Sequence, residues 1–251
     1  MSAVSELSLR RDPIRLLLSR GLWRSVWYLL GYLAVGWLLF AISLTVAVGG
    51  AALSITLAGL PVLVAAAATI RWCADVERAR LRPLVAGPIA GTYRQVVGSG
   101  VMAQLRTRWR DPATWRDVAY LVGLFVPLLV LATIALAVWW AFLAGITLPI
   151  WYWAPWKSIH GVRYHGYDLG YHPNGPHGPG GWGLYVDTLP KALAVAGVCL
   201  ILFLLSNYVV VVTARAHAAV ARGLLGPAED PLRAAKEVLD RPGPLSPSLR
   251  A

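Results

Sequence analysis

Forty-five consecutive residues without a charge, Val26 to Ile70, constrain this chain more than any other feature. A helix needs about 20 apolar residues to cross the hydrocarbon core of a bilayer, so one straight helix of this length would overshoot it far on both sides. The run must fold back on itself. Gly49-Gly50 offers the best hinge and predicts spans near 26–48 and 51–71, with Gly59-Leu60-Pro61 as a second break point. The rest of the chain agrees with a membrane setting. It is 57% hydrophobic and 14% charged, whereas soluble domains carry about 25% charged residues.

A third apolar run covers 118–142, with Pro127 as an expected kink, and a fourth covers 191–213. The reading is an all-α membrane protein with four transmembrane helices. An even number of crossings places both ends on one side. Five Lys and Arg precede the first span, nine lie between residues 71 and 116, three in 143–191 and six from Arg215 onward. Basic flanks stay inside, so the termini are expected to be cytoplasmic in a plasma membrane. The chain then divides into a cytoplasmic and interfacial segment 1–25, spans one and two in 26–71 and a basic cytoplasmic segment 72–117. Span three at 118–142, an extracytoplasmic loop 143–190, span four at 191–213 and a tail 214–251 follow. The first apolar run is too long for a cleaved signal peptide. Trp23, Arg24, Tyr28, Trp115, Arg116 and Tyr120 are expected at the inner membrane edge, and Trp139, Trp140, Trp151 and Trp153 at the outer edge.

The two halves resemble each other. Trp23-Arg24, Tyr28-Leu29 and Gly31 recur 92 residues later as Trp115-Arg116, Tyr120-Leu121 and Gly123, with Asp-Pro ahead of each set. Leu60-Pro61 pairs with Leu148-Pro149, and both second spans lead into Arg- and Ala-rich stretches ending in Gly-Pro. This predicts two related helix pairs running in the same sense, a parallel repeat. Ile14, Leu17, Leu18 and Leu22, and likewise Val101, Leu105 and Trp109, have the spacing of amphipathic helices lying in the interface, where membrane lipids are the partner.

With these residues in place, the chain resembles the sensor domain at the N-terminus of many actinobacterial two-component histidine kinases. The resemblance covers roughly 12–226 and rests most on Arg110-Asp111-Pro112-Ala113-Thr114-Trp115-Arg116-Asp117 before Ala119-Tyr120-Leu121. The uncharged double span, Trp151-Tyr152-Trp153 and Asp187-Thr188-Leu189-Pro190 add to it. It implies four spans and a sensory role, and it brings no catalytic residues. The 24 residues after Gly226-Pro227 are too few for a kinase core, and His217 lacks the acidic neighbour of a phosphoacceptor. The expectation is a sensor module working with a histidine kinase or regulator supplied in trans.

The 143–190 loop holds His160, His165, His172 and His177 among several tyrosines. Imidazoles bind zinc, copper or nickel and titrate between about pH 5 and 8, so these four are the candidate metal ligands, in a loop whose Gly- and Pro-rich part reads as irregular. No organic cofactor is called for. Asn207 is the most polar position inside a span and is expected to bond a neighbouring helix or a homodimer partner. Asp111 and Asp117 read as helix caps, and Asp75 and Glu77 as local ion pairs with nearby arginines. No groove-reading motif accompanies the basic charge, so nucleic acid is not an expected partner. No nucleophile–base constellation marks an enzyme. A sensor or relay is therefore the first expectation; a small transporter or channel, and a membrane scaffold, are the alternatives.

Overall fold

A computed structural model describes residues 12–54, 59–85, 87–96, 98–176 and 178–227. The termini beyond these bounds and His177 lie outside the described residues.

Four helices are long and apolar enough to cross a membrane: Arg20–Leu53, Gly59–Leu81, Phe125–Ile146 and Leu189–Leu225. The first is composite. A short helix α1 (Pro13–Leu17) precedes α2 (Arg20–Gly31), whose N-cap Ser19 accepts from the Leu22 amide. A π-helical turn, Tyr32–Gly36, then joins α2 to α3 (Trp37–Leu53). The second half repeats this plan with α5 (Val101–Trp109), α6 (Pro112–Val118), a π-turn at Ala119–Gly123 and α7 (Phe125–Ile146). The second span of each pair is α4 (Gly59–Leu81) or α9 (Leu189–Leu225). A π-turn widens the ring and offsets the helix face, a common cause of a kink.

The fold-back does not use Gly49-Gly50. Helix α3 runs through both glycines to Leu53, and the turn lies between Ser54 and Gly59. Gly50 serves packing instead: a Cβ there would stand 3.1 Å from Leu63 and 3.4 Å from Ala66, so its absence lets α3 and α4 approach closely, while a Cβ on Gly49 would meet nothing within 4 Å. Pro127 is not a kink either. It sits in the first turn of α7, where the missing N–H has no helical acceptor to lose. The repeat is also realigned. Leu148-Pro149 opens the four-residue helix α8 (Leu148–Trp151), whereas Leu189-Pro190 opens α9 as Leu60-Pro61 opens α4. Residues 214–225, expected as tail, continue α9.

Within each pair the helices run antiparallel. Gly145 lies against Cys199, and the Trp139 indole donates to Asn207 Oδ1 at 2.8 Å. Between pairs the packing crosses over: α2 lies on α9, and α6 on α4. This crossing sets Trp23 against Trp139 at 6.4 Å and Phe40 against Phe125 at 4.3 Å, so α7 runs antiparallel to α2–α3 and the two pairs do not run in the same sense, against the expectation of a parallel repeat. Trp139 is buried, an internal residue and not an outer anchor.

The 143–190 region is not irregular throughout. Strands β1 (Trp156–Ile159) and β2 (Val162–His165) form one antiparallel hairpin, and β3 (Tyr167–Tyr171) and β4 (Trp182–Val186) another. His160-Gly161 makes the first turn with φ of +52° and +82°, the left-handed pair that a two-residue hairpin requires. Val186, Leu148 and Ala192 pack together, and Lys191 bonds Asp187 at 2.7 Å, which seats the second hairpin on the start of α9.

Candidate relay site where the helices cross

The last three turns of α4 carry two buried charges, Glu77 and Arg78, and Asp111 and Asp117 at α6 carry two more. Burying a carboxylate is costly unless its lone pairs are filled, and Glu77, 1% exposed, has them filled from three directions. Its Oε1 accepts from Tyr28 Oη at 2.9 Å and from Tyr120 Oη at 3.3 Å; its Oε2 accepts from Arg80 at 2.6 Å. Tyr28 and Tyr120 are the repeated tyrosines of the two halves, so one carboxylate joins the leading helices of both. Both tyrosines, expected at the membrane edge, are buried instead, because the carboxylate rewards turning the hydroxyl inward. Arg80 also donates to the Tyr28 carbonyl at 3.3 Å.

One residue on, Arg78 faces the other way. Its Nη2 donates to Asp117 Oδ1 at 2.8 Å, and Nη1 to Asp75 and to Tyr93 Oη, both at 2.7 Å. Its Nε donates to the Leu225 carbonyl at the end of α9. Tyr93 closes the ring by donating to Asp117 Oδ2 at 2.7 Å. Asp117 is therefore no helix cap: burial pushes its carboxyl up to about 6, and the Tyr93 hydroxyl and the Arg78 charge offset part of that rise. Burial, then the bond to Asp117, lifts the Tyr93 phenol above its ordinary range. Seven residues before Arg78, on the same helix face, Arg71 donates to Thr114 Oγ1 and to Asp111 Oδ2 at 3.0 Å. Asp111 does cap α6, through the Ala113 amide at 3.1 Å.

Helix α9 presents a neutral counterpart. His217 is fully buried, its ring edge-on to Tyr32 at 4.8 Å and to Tyr28 at 5.9 Å, and neither nitrogen has a hydrogen-bond partner among the described residues. Arg116 donates to the Gly223 carbonyl, and Arg24 lies exposed on α2. Trp23 and Trp115 are each about half exposed, and each indole donates to a carbonyl six residues back, Leu17 or Trp109. Both halves thus begin with one device, at which the repeated Trp-Arg pair hinted. Trp151 donates to Thr147 Oγ1 and exposed Trp153 to the Ile150 carbonyl.

The candidate metal ligands are not brought together. His172 Nδ1 pairs with Asp168 Oδ1 at 2.7 Å, His165 Nδ1 faces the Trp153 carbonyl at 3.3 Å, and His160 occupies the hairpin turn. Among the described residues no group of three or more His, Cys, Asp or Glu could hold an ion. The Glu77 and Arg78 networks are hidden from a sequence reading because local pairing at i,i+3 accounts for only one bond of each. The spacing of Arg71 and Arg78 and the repeated tyrosines are the signals that the sequence does carry.

Four apolar helices in two crossed pairs, joined at a buried ionic hub, define a multi-span membrane protein. A family model described as "Putative sensor" matches residues 28–225, and the chain belongs to that family. No curated protein and no solved structure matches it.

Proposed function

We propose that this chain is a sensory relay of the plasma membrane, with cytoplasmic termini, that passes its signal to a separate histidine kinase or regulator and performs no catalysis itself. The observation that carries the reading is the Glu77–Tyr28–Tyr120 junction. Both halves close on one side chain, so a displacement of either leading helix must break a buried bond. Packed interfaces of this kind shift between discrete arrangements rather than deforming smoothly. The stimulus would arrive through the 143–190 hairpins, which rest on α9, or through the surrounding lipid. Arg78 continues the connection to the end of α9. Photo-cross-linkers placed in the 71–116 segment in native membranes test this. Capture of a kinase or response regulator, changing with stimulus, supports it. A C-terminal tag found outside the cell, or ion flux through liposomes holding the purified chain, overturns it.

A further inference from the structure

Beside the hub, the face of α1–α2 and the end of α4 enclose an open groove of about 510 Å³. Its walls combine Leu18, Trp23 and Trp27 with three guanidiniums, Arg20, Arg24 and Arg80, and none of its described lining residues is acidic. Leu18 is 80% exposed, Trp27 70% and Trp23 45%. Apolar surface left open beside clustered arginine has one natural occupant in a membrane protein. We propose that this groove binds one anionic phospholipid, its phosphate against Arg20 and Arg80 and its glycerol and upper acyl chain along Trp23 and Trp27.

Two physical arguments select the lipid. Indole rings and the stems of arginine suit the boundary between headgroup and acyl chain, where each presents an apolar body and a polar tip. A guanidinium gives a phosphate paired, planar hydrogen bonds that a zwitterionic surface does not reward equally. The groove also touches the hub. Arg80 holds Glu77 Oε2 at 2.6 Å, so a phosphate at this position competes with Glu77 for the same guanidinium. Binding there does not require the relay reading; the groove can take lipid whether or not the chain signals.

The test uses the full chain in phosphatidylcholine vesicles titrated with brominated phosphatidylglycerol or brominated phosphatidylcholine over the same range of mole fractions. The readout is quenching of the emission component lost in Trp27→Phe. Two basic residues against the anionic headgroup make half-quenching expected at roughly thirtyfold less phosphatidylglycerol than phosphatidylcholine. Arg20→Gln/Arg24→Gln removes most of that preference. Arg20→Gln alone, on an exposed side chain, weakens it severalfold if the double variant fails to fold. Equal quenching by both lipids overturns the proposal, as does a preference that neither variant diminishes. Loss of the preference on adding inorganic phosphate assigns the groove to a soluble anion and overturns the lipid assignment too. A normal lipid preference in a chain that captures no kinase leaves this site standing and sinks only the relay.

Discussion

The two halves of the molecule share a backbone plan and differ in where they keep their charge. Each begins with a short helix stopped by a tryptophan indole six residues downstream, and each turns through a π-helical ring. In the second half Asp111 caps the leading helix and also binds Arg71 on α4; in the first half the cap is neutral Ser19. At the crossing, α4 offers Glu77 and Arg78, while α9 offers His217 and its own final carbonyls. Those carbonyls are the unpaired, negative end of the helix dipole, which suits the arginines that reach them. A duplicated scaffold has thus placed Glu77 and the donating arginines on α4 and their acceptors, Asp111, Asp117 and the Leu225 carbonyl, in the second half. The same helix crossing can be closed by a carboxylate or by aromatic packing alone.

Replacing the two centres breaks this comparison most directly. Glu77→Ala strands Arg80 and two buried hydroxyls, and removing one member of a buried ion pair costs about 3–5 kcal/mol. His217→Phe keeps the packing against Tyr28 and Tyr32 and costs less than about 1.5 kcal/mol. Unfolding titrations in mixed micelles measure both, and equal losses would abolish the distinction between the halves.

The next largest effect is one of pH. The Asp117 carboxyl is raised in the folded chain from 3.8 to about 6. A raised acid stabilises the fold while protonated, and that contribution fades as pH climbs through the folded value. The stability of the native chain relative to Asp117→Asn should therefore fall by about 1–3 kcal/mol across this window and stay level above it. A difference that rises with pH instead would mean that Arg78 and Tyr93 outweigh burial.

The smallest effect lies within the second pair. Asn207→Leu removes the bond from Trp139 and should cost about 0.6–2 kcal/mol by the same titration. A much larger loss would place Asn207 among the hub residues.

The spans and the recurrence of the Trp-Arg-Tyr pattern can be read directly, whereas the relative sense of the two halves cannot, since it shows only where Trp23 meets Trp139 and Phe40 meets Phe125. The fold-back cannot, because a glycine pair looks alike whether it bends a helix or admits a neighbour; Leu63 and Ala66, across the turn, decide which. The hairpins are hidden by strands of only four or five residues whose pairing depends on partners up to nineteen residues away, as with Tyr167 and Val186. Tyr28 and Tyr120 look like interface anchors because an aromatic at the start of a span satisfies that role without further information.

By itself the sequence determined that the chain makes four apolar helices, because a peptide group in hydrocarbon has no water to bond and a helix satisfies it locally. The tertiary structure alone decided which groups the charges of α4 would meet. Glu77 finds Tyr28 and Tyr120 at sequence distances of 49 and 43, and Arg78 finds the Leu225 carbonyl 147 residues on. Hydrogen bonds act over about 3 Å, so only the crossing of the helix pairs selects such partners.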